Sequence, residues 1–244
     1  MDISHLNPDY VPITNSQVKC LLDVVRSYNP DNQVKLFDVT DIYKRELANS
    51  PNETTSYSPY TLVRLFADLI DEIPDKLLYL DADIMFNRDI HLLYDIDISD
   101  YEYAAAPDHY GKYLINPHYI NAGVILFNIA KCRQSGLLEK AREVVRTKKM
   151  LFPDQSAIVK STTKRMILKQ RFNDQKFLHK HTIVRHFSKR LFYLPYPHTD
   201  NVKQWQVDKV HKVFKYHQFD DIFDEYLKIK KEYTQNTQST EENE

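Results

Sequence analysis

The segment Leu77-Leu78-Tyr79-Leu80-Asp81-Ala82-Asp83 constrains this chain more than any other stretch of it. An apolar run of strand length ends in two carboxylates two positions apart. In extended backbone, residues i and i+2 point to the same side. Asp81 and Asp83 are therefore expected to converge on one divalent cation at the carboxyl end of a strand, where open α/β sheets place their ligands. Hard oxygen ligands suit Mn²⁺ or Mg²⁺, and either ion can bridge to a substrate diphosphate. Taken alone, the same residues also read as turn-forming aspartates after a strand.

The rest of the sequence alternates helix and strand signals. Residues 14–29 read as a helix, with capping-box spacing between Thr14 and Gln17 and with Val18, Leu21, Leu22 and Val25 on one face. Residues 34–39 read as a short strand. Ser58 caps a helix that has Pro59 at its first position. Its buried stripe is Leu62, Leu65, Phe66, Leu69 and Ile70, while Tyr60 and Arg64 share another face. Strands follow at 103–106, 124–129 and 182–186. Helices are expected around Leu137, Leu138, Ala141, Val144 and Val145, and again from Pro153. This order indicates an α/β fold with a mainly parallel sheet. Residues 201–233 form an amphipathic segment, and residues 234–244 are polar, acidic and expected to fray. The expected organisation is a catalytic domain over 1–200, a helical segment over 201–233 and a disordered tail.

Composition excludes several classes. Only 3 glycines occur, against a usual share of roughly 7%, so there is no Gly-rich phosphate loop. Lys and Arg number 33 against 34 for Asp and Glu, and the formal net charge of -1 does not suit a nucleic-acid partner. The longest apolar run, residues 122–127, is far too short to span a bilayer. Met1 leads into Asp2 and Ser4 rather than into a basic and then apolar stretch, so a cytoplasmic location is expected. Cys20 and Cys132 are read as reduced thiols.

Several motifs, in order, resemble glycosyltransferase family 8, whose members have the GT-A fold. Tyr60-Thr61-Leu62-Val63-Arg64 resembles the helix whose Arg contacts the nucleotide-sugar. Leu78-Tyr79-Leu80-Asp81-Ala82-Asp83 resembles the metal motif. Ala104-Ala105-Ala106-Pro107-Asp108 resembles the strand that ends in a sugar-contacting acid. Asn121-Ala122-Gly123 with the apolar run after it resembles the sugar-binding strand. Pro153-Asp154-Gln155 resembles the Asp-Gln pair beside the reacting sugar carbon, and His186-Phe187 resembles the late metal-binding histidine. Each residue also has a plain reading: a solvated Arg64, a turn Asn121, a helix-start Asp154, a half-buried strand His186.

The resemblance implies a Rossmann-like GT-A fold and a retaining transfer of glucose or galactose from a UDP-sugar to a glycan or glycolipid. It implies a metal on Asp81, Asp83 and His186. Donor contacts would come from Arg64, Asp108, Asn121, Ala122 and Gly123, and Asp154 and Gln155 would stand at the reacting centre. The family's lysine near Pro-Trp, six residues after the histidine, has no match at that spacing, because Phe192 stands there. Lys189 or Arg190 is expected to supply the phosphate charge instead. The chain also lacks a match to the family's first strand-helix-strand. Such a unit takes 30 or more residues, so the expectation is an N-terminally truncated chain with weak donor binding and poor folding. Two rivals stand beside this reading. One is a non-catalytic sugar-nucleotide-binding remnant. The other is a D-x-D phosphatase, disfavoured because Met85 occupies the place of its Thr or Val. Residues 203–233 interleave aromatic residues with lysines and suggest peripheral contact with a membrane. Their acids favour a packing helix.

Overall fold

The computed structural model describes residues 1–55, 57–192 and 196–241. The chain divides into two units, Met1–Ala48 with Asp224–Glu244, and Asn49–Phe223. This division falls elsewhere than the boundaries expected at 200 and 233.

In the smaller unit the helix Asn15–Tyr28 starts where its capping box predicts. Gln17 N donates to Thr14 Oγ1 at 3.3 Å, and Thr14 N donates to Gln17 Oε1 at 2.8 Å. Its apolar stripe is less covered than the periodicity suggests. None of its residues is buried, and Leu21 is exposed. The buried residues here are Ile3, Val39, Tyr43 and Leu47. Residues 34–39 form no strand. No neighbouring strand pairs with them among the described residues, and an isolated strand leaves its ladder groups unpaired. Asp38 instead accepts from Thr40 N at 2.9 Å, just before the helix Thr40–Glu46. The helix Asp220–Glu241 continues through the tail expected to fray. No Gly or Pro follows Pro197, so nothing in the sequence interrupts it. Residues 242–244 of that expected tail lie outside those described.

The larger unit holds a four-stranded sheet and two small strand pairs. Its strands are β1 (Lys76–Leu80), β2 (Ile84–Phe86), β3 (Tyr103–Pro107), β4 (Ile120–Asn128), β5 (Arg165–Ile167), β6 (Val184–His186), β7 (Arg190–Phe192) and β8 (His198–Asp200). The main sheet runs β1-β4-β3-β5. It is mixed: β3 and β5 are parallel, while β4 runs antiparallel to both β1 and β3. One apolar cluster joins Val124 and Leu126 of β4 and Ala104 and Ala106 of β3 to Leu93, Phe172, Ile183 and Val184. The helices Leu137–Thr147 and Pro153–Ser161 pack on each other and on the 3₁₀ helix Pro59–Leu69, contributing Leu138, Ala141, Val145, Ala157 and Ile158 to the core.

Residues 201–223 belong to this unit through a second apolar cluster. Val202, Val210, Phe219 and Phe223 close around Met85 and Phe187, with Phe214 and Tyr216 packed against them. This segment is not one amphipathic helix. A short turn of helix, Val207–Lys209, widens into a π-helical turn, Val210–Phe214, and ends at Lys215 in left-handed backbone (φ 58°). The aromatic residues that would have faced a membrane are therefore spent on packing, apart from Trp205, which is exposed. No helix among the described residues is long and apolar enough to cross a membrane. Cys20 and Cys132 form no disulfide.

Candidate active site

β1 ends at Leu80, and Asp81 N donates to Gly123 O of β4 at 2.8 Å. The chain then turns at Ala82 and Asp83 and enters β2, which pairs with β6 so that Ile84 lies opposite His186. Phe187 N donates to Asp83 O at 2.8 Å. The two aspartates are thus not on one continuous strand, as alternation suggested. A turn between two strands of different sheets brings them together, and each flank is tied by a backbone hydrogen bond. The result is the expected grouping: one ligand atom each from Asp81, Asp83 and His186, all within 4.8 Å of one another.

Gly123 makes room for this group. A β-carbon there would overlap the His186 ring and stand 2.9 Å from Asp81 Oδ2. The glycine that opens an apolar strand in a chain of 3 glycines is required by close approach.

Arg64 lies buried behind Asp81. Its Nη2 donates to Asp81 Oδ1 at 2.8 Å, its Nη1 to Ala122 O and its Nε to Thr61 O at 3.0 Å. Asp154 Oδ2 stands 3.3 Å from Nε, and the guanidinium covers the Tyr79 ring at 4.5 Å. Each of the three nitrogens of Arg64 thus has a protein partner, and the side chain is buried rather than solvated. Burial pushes the Asp154 carboxyl up against the pull of Arg64. Burial also holds the Tyr79 phenol neutral far into the alkaline range, so its hydroxyl donates to Asp81 Oδ1 at 3.2 Å.

Asp83 faces His186 Nε2 at 3.1 Å through Oδ1 and the Lys203 ammonium through Oδ2. Burial alone would raise this carboxyl. The hydrogen bonds and charges of His186 and Lys203 outweigh burial and hold it well below the usual carboxylate range. Lys203 also donates to Phe187 O at 3.0 Å.

A chain of amides reaches His186 from the other side. Asn121 Nδ2 donates to Asp108 Oδ2 at 3.1 Å, and Asn121 Oδ1 accepts from Gly123 N at 3.1 Å. A carboxylate at one end and a backbone N–H at the other leave one orientation for the Asn121 amide. Asn173 must then donate through Nδ2 to Asn121 Oδ1, at 2.9 Å, and present its own Oδ1 to His186 Nδ1 at 3.0 Å. Nδ1 keeps its proton, and Nε2 is the nitrogen turned to Asp83. Gln155 Oε1 accepts from Ala122 N at 3.1 Å, which leaves its NH₂ group to donate, with the Tyr119 hydroxyl within its reach.

The structure does not bring Lys189 or Arg190 to this group. Lys189 is exposed. Arg190 lies over the rings of Phe177, Phe192 and Phe214, a cation in an aromatic cluster. The lysine beside the Asp81, Asp83 and His186 group is Lys203, which sequence reading placed only in the C-terminal segment. The antiparallel strands β7 and β8 intervene between His186 and Lys203, so no short spacing from the histidine reaches this lysine. Trp205, two residues after Lys203, was the available signal. Asn173 was also missed. Its signal was the run Asn173-Asp174-Gln175-Lys176, four polar residues between Phe172 and Phe177, of which the first three are buried.

Known proteins resemble this chain in sequence and in fold. Glycosyltransferase GlyA of Streptococcus pneumoniae serotype 4 is 35% identical over 78 residues, covering 32% of this chain and 11% of that protein. GlyD of the same organism is 39% identical over 87 residues, covering 35% and 10%. The chain thus spans about a tenth of these curated relatives. Among solved structures, the apo form of the bifunctional glycosyltransferase WbbM superposes with a TM-score of 0.58 at 18% identity, covering 79% of this chain and 40% of that one. The architecture is the α/β GT-A fold. Residues 4–181, most of the chain and all of the D-x-D, Asn-Ala-Gly and Asp-Gln segments, match the family described as Glycosyl transferase family 8. This chain belongs to glycosyltransferase family 8 and not to the D-x-D phosphatases.

Proposed function

We propose that this chain moves a hexose, glucose or galactose, from a UDP-sugar to a glycan or glycolipid acceptor with retention of anomeric configuration. The observation that carries the reading is the convergence of Asp81, Asp83 and His186 on the one face that Gly123 leaves open. Two carboxylates and one imidazole are a fitting donor set for Mn²⁺ or Mg²⁺. When bound, such an ion would neutralise charge on the departing diphosphate.

The chain's own residues supply the rest. Arg64 holds Asp81 and the Ala122 carbonyl in place, acting on the site through them. Lys203, already against Asp83, is the cation placed to meet the phosphates, a role foreseen for Lys189 or Arg190. Asp108 and Asn121 fix each other and offer hydrogen-bonding groups to sugar hydroxyls. Gln155, tied through its oxygen, can turn its NH₂ group toward the sugar, whose anomeric carbon becomes oxocarbenium-like as the bond breaks. Oriented groups of this kind stabilise the transition state without reorganising.

The test is turnover of UDP-glucose and UDP-galactose, followed as UDP release, with Mn²⁺ and with chelator. Metal-dependent release that disappears in D81N and D83N supports the reading. Release that is undiminished in chelator overturns the metal role. Donor binding with no turnover under any metal would assign the chain to the non-catalytic alternative.

A further inference from the structure

We propose that His211, His217 and Asp220 form a second metal site, one for a borderline ion of the zinc class, separate from the Asp81, Asp83 and His186 group. His211 Nε2 stands 2.7 Å from Asp220 Oδ1, and His217 Nδ1 stands 3.1 Å from Asp220 Oδ2. One ligand atom from each of the three residues lies within 4.8 Å of the others. The two imidazoles stack with centroids 4.6 Å apart and planes inclined by 23°.

Hydrogen bonding accounts for either histidine alone on the carboxylate. Two imidazolium rings stacked in that position would repel each other, so the stacked pair fits neutral rings, the form in which imidazole ligates a divalent cation. A divalent cation binds both rings neutral and draws the carboxylate to the same point. Tetrahedral zinc with Zn–N near 2.0–2.1 Å sets neighbouring ligand atoms about 3.3 Å apart. The contacts seen at 2.7 and 3.1 Å need only a small spreading to admit it.

The backbone prepares the group. The π-helical turn Val210–Phe214 carries His211, and such widened turns recur at functional sites. Lys215, in left-handed backbone, turns the chain back so that His217 faces the same carboxylate. Val210, Phe219 and Phe223 are buried beneath, and the His211 ring meets Phe223 edge-on at 5.8 Å. His217 is 63% exposed on its side chain, which leaves water room to complete the coordination. Two nitrogens and one oxygen favour Zn²⁺, Co²⁺, Ni²⁺ or Cu²⁺ over Mg²⁺ and Mn²⁺. A metal here would staple the turn at 211–217 to the first turn of the helix Asp220–Glu241.

The experiment uses the full chain with D81N and D83N together, so that the other metal group is silenced and the outcome does not depend on the proposed transfer activity. Co²⁺ is titrated by its visible absorption and displaced with Zn²⁺. The expected result is one saturable equivalent with tetrahedral bands, displaced by Zn²⁺ but not by excess Mg²⁺. Adding H217Q should lower the Zn²⁺ affinity at least about tenfold and remove the zinc-induced rise in Tm, leaving the metal-free Tm unchanged. Equal Zn²⁺ affinity with and without H217Q, or only weak unsaturable binding spread over the surface histidines, would overturn the proposal.

Discussion

Asn173 Oδ1 accepts a hydrogen bond from His186 Nδ1 at 3.0 Å, and this contact decides which imidazole nitrogen faces Asp83. The decision is transmitted from groups whose polarity is not in question, the Asp108 carboxylate and the Gly123 backbone N–H, through the two asparagine amides. Asn173→Ala removes the acceptor and lets the ring turn or change tautomer. Loss of such an outer partner costs about 10–100-fold in metal affinity. A Mn²⁺ titration by electron paramagnetic resonance reads this directly, and an unchanged affinity would contradict the role assigned to Asn173.

Gly123→Ala tests the same site from the opposite wall. The added methyl would meet the His186 ring and stand 2.9 Å from Asp81 Oδ2. Both groups are anchored, Asp81 to Arg64 and His186 to Asn173, so neither can yield without leaving its partner. A displacement of about 1 Å in a positioned group costs on the order of 10²-fold in rate. UDP release by the variant should fall by that factor or more, while its far-ultraviolet circular dichroism stays that of the parent.

These two positions show what the sequence could and could not disclose. Asp81 and Asp83 were legible because an apolar strand stops at them, whereas Asn121, Gly123 and His186, at the start or end of strands, were legible only through the family resemblance. Arg64 was legible as a position but not as an environment, since helical spacing placed it off the apolar stripe and gave no hint that a site would bury it. Asn173 and Lys203 were hidden for different reasons. Asn173 acts through a contact with no fixed sequence distance, 13 residues from His186. Lys203 lies beyond the strands β7 and β8, far along the chain from His186. The absent strand at 34–39 is a failure of another kind, because a strand pattern names no partner, and pairing decides whether a strand exists.

Lys203→Met should separate donor binding from folding. The ammonium lies on Asp83 and on the Phe187 carbonyl, next to where a diphosphate would lie against the metal group. A hydrogen bond to a charged group is worth roughly 1.5–3 kcal/mol, so the KM for a UDP-sugar should rise about 10–100-fold. The corresponding change at Lys189, which is exposed and away from this group, should leave KM within about twofold of the parent. Equal effects at the two positions would remove Lys203 from the site.

Arg142 and Asp68 link the helix Leu137–Thr147 to the 3₁₀ helix that carries Arg64. Arg142 Nη1 donates to Asp68 Oδ1 at 2.6 Å and to Leu65 O at 2.6 Å, and the arginine is 3% exposed. Arg142→Met would leave Asp68 charged and nearly enclosed, which costs about 3–5 kcal/mol when one partner of a buried pair is removed. Urea unfolding should show that loss, and pairing R142M with D68N should recover much of it. Additive losses in the double variant would mean that the two residues do not act as a pair.

Glu102 makes the stability of the larger unit depend on pH. It is 1% exposed and accepts from Thr162 Oγ1 at 2.5 Å, Thr163 N at 2.8 Å, Thr163 Oγ1 at 3.0 Å and Lys164 N at 3.2 Å. Burial alone would raise its carboxyl, but donors from Ser135, Thr162, Lys164 and Thr163 outweigh it and hold the group below its ordinary value of 4.5. Because the folded value is the lower one, the unfolded chain binds the extra proton as pH falls. The contribution of Glu102 is therefore fully present above about pH 4.5 and is lost as pH falls through the folded value. Other depressed carboxyls, Asp83 among them, slope the same way, so the parent curve alone does not identify Glu102. The difference between the parent and Glu102→Gln does. At pH 7 the variant should be less stable by about 2 kcal/mol, the value of hydrogen bonds to a charged acceptor. That gap should narrow steadily below pH 4.5 in urea titrations. A gap of constant size from pH 7 to pH 3 would show that the charge of Glu102 does not hold β3 to the turn at residues 162–164.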